Sequence, residues 1–495
     1  MTSANKIKTL LSYHFILILI LLLALSLRVY KIETLTTFGR DQGIDFLVIK
    51  DMIQNHHWTL IGIKVSIANF FQGPVYLYIL LPLFWLLKLD PSAGSYSAVL
   101  VSMLTIVTLY FFTFKTFGIR AANLAAAFFA VAPPLVIFGN TPLYQNFVPL
   151  FILLCLSTLF LLIGIDSKNH LNKKVLLGMF TGFFAGISCE LHFLSITFAI
   201  SVLVYLILFI RRKLLIISSY ILGLIIGLSP TLAFELRHDF LNTKLALQYL
   251  SQQTGGNFSF NGSFLIWLKR IIYFSLNDYN FLAIPPLLLG LYILLFRIKK
   301  STFYFESLRK LAIIVFIITI AFSLKISSFG IHFPLPFWII LIVLIPGYLS
   351  TVKTKSLTFL AITLIILNFI VSLSMLGANH GYFMPEGWNL KKIKFAGEII
   401  IKDSKDHSNF NVASLLDGDT RAYPLRYIVE VNGGTPGGGV ENYPNNNSLY
   451  VVSRNERALK ESKTWEINCF YPFKTNKISN LDDNIYLYRL DRTNI

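Results

Sequence analysis

A polytopic α-helical membrane protein with about 11–12 transmembrane helices and a small C-terminal α/β soluble domain is the fold class this sequence predicts, on three observations. The 495-residue chain is 55% hydrophobic and only 14% charged, with 44 Phe and a mean hydropathy of +0.64. Water could not solvate such a surface. Its apolar residues gather in runs near the roughly 20 residues a bilayer core requires. Those runs stop near residue 377, and the remaining residues have the alternating texture of a soluble domain.

The formal net charge of +18 does not read as a nucleic-acid surface, because Lys and Arg sit in short clusters between apolar runs instead of on one basic face. Cys155, Cys189 and Cys469 are too few and too scattered for a disulfide or zinc framework. The first apolar run, 15–27, comes after Lys6 and Lys8 like a secretory signal. Arg28-Val29-Tyr30-Lys31-Ile32 then succeeds it without a small-residue cleavage pattern, so the run is an uncleaved first span.

Candidate spans lie at 14–30, 95–114, 121–139, 147–165, 174–189, 193–210, 214–233, 279–297, 309–324, 334–350 and 356–377. A further run, 74–87, is short and Pro-flanked, and charge decides its status. With 74–87 re-entrant, the basic loops 115–120, 166–174, 211–213, 297–310 and 353–355 all share the side of the N-terminus, which satisfies the positive-inside rule. Counting it as a full span puts them opposite Lys6 and Lys8. Eleven spans are therefore preferred, and the opposite, external side receives 31–95, 139–146, 189–192, 235–278, 325–332 and the tail from 378.

This divides the chain into a transmembrane domain, 1–377, and an external soluble domain, 378–495. The tail alternates a helix-like stretch, 390–402, with strand-like ones at 411–416, 448–453 and 485–488, and its Gly- and Asn-rich segment 432–447 reads as a loop. No repeat of fixed period emerges. Gly433-Gly434 and Gly437-Gly438-Gly439 lack the Lys of a phosphate loop, which argues against ATP as a driver. No Ser-His-Asp order, His-Glu-x-x-His helix or Cys cluster supports a hydrolase or zinc enzyme.

Chemistry concentrates in the external loops. The strongest signal is Phe38-Gly39-Arg40-Asp41-Gln42-Gly43-Ile44-Asp45, just past the first span and opening an amphipathic stretch to Asn55, succeeded by Phe71-Gln72-Gly73-Pro74-Val75-Tyr76. Asp41, at a membrane boundary between Arg40 and Gln42, is suited to take a proton from an acceptor hydroxyl whose oxygen attacks a sugar C1. The plainer reading is a solvated ion pair at a helix end. Asp45 is one helical turn from Asp41, and two carboxylates on one face would be placed to bind a cation.

The layout resembles the C-type (GT-C) membrane glycosyltransferases, in the branch of the protein O-mannosyltransferases and the lipid A aminoarabinose transferase. There a long first external loop carries an essential acidic residue, and a Gly-Pro or Pro-Pro motif opens the next helix. The resemblance covers roughly the first 240 residues and ends on Phe234-Glu235-Leu236-Arg237-His238-Asp239-Phe240, similar to a string common in bacterial members. It implies a donor sugar carried on a polyprenyl phosphate, whose phosphate is the leaving group, an external acceptor, and a bacterial inner or plasma membrane location. In relatives an acid stands where this chain has Tyr144, Gln145 and Asn146, which puts a second carboxylate or a metal at that loop in doubt. A divalent metal is neither required nor excluded.

Under that reading Asp41 is the base of an inverting displacement. Arg40, Gln42, Asp45, Gln72, Tyr144, Gln145, Asn146, Glu190 and His192 are the candidate donor- or acceptor-binding residues. Arg237, His238, Lys325 and His332 are external cations near span ends, where a departing phosphate needs them. Lys325 is the best placed, since the positive-inside rule disfavours Lys there, although snorkelling to a headgroup also accounts for it. Glu190 and His192 also fit ordinary hydrogen-bonded groups at a helix end. The competing function is a transporter, or a lipid-linked glycan flippase or polymerase. Transporters place charges at the bilayer midplane and show related halves with broken helices, whereas here the charges lie in external loops.

Overall fold

A computed structural model of the chain describes residues 3–65, 69–165, 170–210, 213–253, 282, 284–296, 298, 301–323, 334–352, 354–406, 409–437, 442–482 and 484–493. The helices, in chain order, begin with α1 (Ser3–Val29), α2 (Arg40–Gln54), α3 (Val75–Leu86), α4 (Ser92–Phe117), α5 (Ile119–Val131) and α6 (Pro133–Phe138). Next come α7 (Tyr144–Ile163), α8 (Leu171–Leu191), α9 (Ile196–Phe209), α10 (Lys213–Gly227), α11 (Ser229–Arg237) and α12 (Leu241–Gln253). The series continues with α13 (Ile284–Leu295), α14 (Phe303–Ser323), α15 (Leu335–Val352) and α16 (Lys355–Met375). Each of the eleven predicted spans thus contains a helix. Among the described residues α4, α7, α8, α15 and α16 are long and apolar enough to cross a membrane singly, and α10 and α11 pass together with a 68° bend.

The disputed run forms α3, whose 12 residues reach about 18 Å, well short of a hydrocarbon core of about 30 Å. Lys88 and Leu89 then take left-handed backbone (φ 52° and 66°) and turn the chain back into α4. The predicted spans 121–139 and 214–233 are each broken in two, which hydropathy alone could not show. In the first, Pro133 and Pro134 lack N–H groups, so the carbonyls of Phe129 and Ala130 lose their helical donors.

Arg28 replaces them. Its fully buried guanidinium donates from Nη2 to Phe129 O (3.2 Å) and Leu135 O (3.0 Å), from Nη1 to Ala130 O (2.9 Å) and Ala24 O (3.1 Å), and from Nε to Ser102 Oγ (2.8 Å). All five donors of the side chain are used. The residue that ends the first span is therefore a buried staple for the proline break. Elsewhere backbones approach closely: a Cβ on Gly182 of α8 would collide with Tyr220 O of α10, and only glycine permits that contact.

The C-terminal unit has a four-stranded sheet in the order β1-β2-β4-β3, with β1 (Phe410–Ser414), β2 (Ser448–Ser453), β3 (Phe473–Asp482) and β4 (Ile485–Arg492). α17 (Leu390–Asp403) precedes it, and α18 (Tyr423–Val431) crosses from β1 to the parallel β2. The other pairs are antiparallel. The anticipated helix and three strands are present, while β3 and α18 add to them. Residues 438–441 of the Gly- and Asn-rich segment lie outside the described residues.

This unit shares its core with the rest of the molecule. Phe38 and Phe46 stack at 5.3 Å and meet Phe84 and Tyr427, all four buried. Tyr427 donates to Leu89 O at 2.6 Å, Lys394 bridges Glu33 and Asp90, and Lys50 pairs with Glu430. A Cβ on Gly43 would lie 2.6 Å from the backbone of Tyr423 and Pro424, so α2 and α18 are in direct backbone contact.

Candidate functional site

The site is built around α2. Gly39 is its N-cap, and the first turn presents Asp41 to solvent, where a helix N-terminus favours negative charge. Asp41 Oδ1 accepts from Arg40 Nη1 at 3.0 Å with 54% of its side chain exposed, and among the described residues Oδ2 has no hydrogen bond. Gln42 turns the other way: buried, it accepts Gly39 N–H at 2.9 Å and donates to Pro142 O at 3.1 Å, joining the first loop to the segment before α7.

Asp45, one turn on, is also buried and accepts from the Tyr144 hydroxyl at 2.7 Å. Tyr144 in turn accepts Ile63 N–H at 3.0 Å. Burial pushes the Asp45 carboxyl well above the usual carboxylate range, against the opposing pull of Tyr144. Asp41 and Asp45, expected on one face, thus meet different surroundings, one carboxylate in solvent and the other inside. No three His, Cys, Asp or Glu side chains among the described residues come together to hold a metal.

Three sequence strings read separately converge at a second place. Gln72 Oε1 accepts from Phe193 N at 3.4 Å, and Asn242 pairs with both backbone groups of Phe71, at 2.8 and 3.1 Å. Glu190 is buried, with Oε1 accepting from Thr231 N at 3.1 Å and Oε2 sealed against Gly73 without a hydrogen bond among the described residues. His192 Nδ1 accepts from Leu194 N at 3.3 Å, at the start of the turn into α9. Glu235 accepts from Asn242 N at 2.9 Å, and from Thr243 N at 3.0 Å and its hydroxyl at 2.6 Å. The string 234–240 is thus a capped turn that clamps Phe71.

At that turn Arg237 is exposed, and His238 stacks on Phe234 at 4.2 Å with its Nδ1 2.9 Å from Phe234 O. Lys325 and His332 lie outside the described residues. Gln145 lines two small cavities of mixed character, one with Ser102, Gly139 and Asn146, the other with His192, Ser195 and Pro336. Asn146 donates to Thr141 O at 2.7 Å and keeps a buried Oδ1 with no hydrogen bond among the described residues. A larger, almost wholly apolar groove lies apart from Asp41, between α5, α15 and α16, lined by Phe128, Trp338, Leu341 and Ile365 among others.

Residues of the C-terminal unit complete the surroundings of Asp41, and the sequence reading missed them. The loop after β1 brings Asp419 Oδ2 to Arg40 Nε at 2.8 Å, while Arg421 grips Asp419 through Nε and Nη2, each at 2.9 Å. Burial raises the Asp419 carboxyl, but the bonds from Arg421 and Arg40 outweigh it and hold it below the usual range. Both guanidinium groups lie near the Tyr423 ring, at 6.0 and 5.6 Å. Asp417 accepts from Trp388 Nε1 at 2.8 Å, and burial pushes its carboxyl up to about 6. The available signal was the string Asp417-Gly418-Asp419-Thr420-Arg421 after a predicted strand, at the carboxyl edge where open α/β sheets hold ligands.

Residues 72–234 match the family model described as dolichyl-phosphate-mannose-protein mannosyltransferase. The match opens at Gln72-Gly73-Pro74 and closes at Phe234, so α2 and Asp41 precede it. No curated protein matches the sequence. Among solved structures, ArnT from Cupriavidus metallidurans bound to undecaprenyl phosphate is similar at 13% identity, over 96% of this chain and 98% of that one, with a TM-score of 0.61. Its apo state gives 11%, 99%, 98% and 0.61. The Archaeoglobus fulgidus oligosaccharyltransferase, in complex with Zn and sulfate, gives 12% identity over 89% of this chain and 68% of that one, with a TM-score of 0.53. Family match and fold agree with the resemblance read from the loops: the chain has the architecture of the GT-C membrane glycosyltransferases.

Proposed function

We propose that this GT-C-fold chain transfers a sugar from a polyprenyl-phosphate donor to an acceptor on the outer face of a bacterial cell membrane, where the C-terminal unit also lies. The acceptor oxygen attacks C1 as the C1–O bond to phosphate breaks, and the bonding pair leaves on the polyprenyl phosphate. The acceptor proton passes to Asp41 Oδ2, and the configuration at C1 inverts. The observation that carries this reading is the split between the two carboxylates of α2: Asp45 is buried on Tyr144, whereas Asp41 is exposed with one oxygen uncommitted. The undecaprenyl phosphate bound by ArnT, a protein of the same fold, supports the donor class.

Phosphate needs cations, and exposed Arg237 is the described candidate, with Lys325 and His332 proposed from sequence. Arg28 is unsuited because its five donors are spent on the protein. The test measures sugar release from a panel of radiolabelled polyprenyl-phosphate sugars in membranes holding wild type or Asp41→Asn, with and without chelator. Release by wild type alone supports donor class and base together. Equal release by Asp41→Asn removes Asp41 from the chemistry, and no release from any donor moves the reading to a flippase, which a flipping assay then tests.

A further inference from the structure

We propose that Asp419 of the C-terminal unit is a positioning residue for transfer, acting on Asp41 through Arg40; the inference rests on the reading of Asp41 as base. An exposed Arg–Asp pair is normally weak, because holding two flexible side chains in one geometry costs entropy that water-screened attraction barely offsets. Arg40 is different. Its Nε is fixed at 2.8 Å by Asp419 Oδ2, and its outer Nη1 then reaches Asp41 Oδ1 at 3.0 Å.

Asp419 is itself held firmly. Its side chain is 10% exposed, Arg421 grips it through Nε and Nη2, and Arg421 N adds a bond to Oδ1 at 3.1 Å. A bidentate guanidinium–carboxylate fork fixes orientation as well as distance. The chain Arg421–Asp419–Arg40–Asp41 therefore carries the position of the C-terminal unit to the carboxylate and leaves Asp41 Oδ2 as the oxygen turned to an acceptor. The seam does not depend on this link alone, since Gly43 against Tyr423, Lys50 with Glu430 and Tyr427 on Leu89 also hold it. Docking and positioning can thus be separated.

The test measures transfer by the full chain in membranes with Asp419→Ala, with Arg40→Lys, which keeps the charge but loses the Nε donor, and with Arg40→Gln alone and combined with Asp419→Ala. Docking is read in parallel from a bifunctional-maleimide cross-link between Lys50→Cys and Glu430→Cys in a Cys469→Ser background. Asp419→Ala and Arg40→Lys are expected to lower kcat at least tenfold with donor KM within twofold and the cross-link retained. Asp419→Glu is expected to recover more than half the rate. In the double variant, Asp419→Ala should cost less than twofold beyond Arg40→Gln.

Wild-type kcat in Asp419→Ala with the cross-link intact, wild-type kcat in Arg40→Lys, or fully additive losses in the double variant would each overturn the assignment. Should Asp419→Ala lose the cross-link, Arg40→Lys decides. Asp41→Asn in the same assay tests the underlying reading: if it is inactive while Arg40→Lys and Asp419→Ala run at the wild-type rate, the positioning role alone is wrong. If Asp41→Asn is active, the base assignment falls first.

Discussion

The seam where α2 meets the C-terminal unit and the junction behind Gly73 are both knots of polar residues, and they use those residues in opposite ways. At the seam, Arg40, Asp41, Asp419 and Arg421 are charged, and the outer members stand in solvent with uncommitted atoms. At the junction, Glu235, Asn242 and Gln72 are buried and spent on backbone groups of neighbouring segments. A polar residue whose atoms are all used inside holds a fold; one with an atom left over can act on something else. Damage to the first kind should appear in stability, and damage to the second in turnover.

Arg28 is the extreme of the buried kind, and the largest effect is expected there. Arg28→Leu strands the carbonyls of Phe129 and Ala130, each at about 1–3 kcal/mol, a large fraction of the stability of a typical domain, while Leu135 O keeps the N–H of Gly139. The variant should fail to accumulate in membranes, and Arg28→Lys, with three donors, should recover part of the yield on quantitative blotting. Asp41→Asn is the opposite extreme. Loss of a general base typically lowers turnover about 10²–10⁴-fold, and because Asp41 is exposed the melting temperature in detergent should move by less than about 2 °C. A large fall in melting temperature would place Asp41 with the structural residues and break the contrast.

The helices were legible because an apolar run of membrane length has few alternative fates, and the run 74–87, too short for a span, forms a helix of only 12 residues. The breaks at Pro133 and after Gly227 were less legible, since hydropathy does not register where a carbonyl loses its donor. In the site, the string 38–45 was found, but its two acids were read as one face. Only the fold shows that α18 packs over Gly43 and that Tyr144 takes Asp45 inside. Asp419 and Arg421 were out of reach because they lie nearly four hundred residues from Arg40 in sequence, and a crossover helix that sequence alone did not reveal brings their loop to α2.

Asp417 gives the contrast a pH dependence. Burial pushes its carboxyl from the ordinary 3.8 to about 6, so the folded chain holds a proton that the unfolded chain releases. The contribution of Asp417 to stability is then full below about pH 4, falls as pH rises towards 6 and is level above, by about 3 kcal/mol across the window. Asp417→Asn keeps an oxygen for Trp388 Nε1 and has no proton to lose. Its melting temperature should match wild type near pH 4 and exceed it by several degrees above pH 6.5. Parallel curves across that range would show that the Asp417 carboxyl is as well solvated as the seam's outer charges.

The smallest effect tests how fully the junction commits its groups. A methyl at Gly73 would collide with Glu190 Oε2 and lie 2.6 Å from its Cδ, so the carboxylate must retreat in Gly73→Ala. Its other oxygen accepts from Thr231 N in the first turn of α11, and retreat stretches that bond. Overpacking of this kind costs about 1–3 kcal/mol, and because α11 leads through Glu235 to the clamp on Phe71, the loss should register as lowered melting. The penalty should shrink in a Glu190→Ala background, since the clashing side chain is gone and Glu190 O, at 2.9 Å, is a milder contact. A non-additive pair measured by thermal melts identifies Glu190 as the group that gives way. Strict additivity would mean that the methyl is accommodated by a shift of the first loop, and that the junction is less firmly committed than its hydrogen bonds imply.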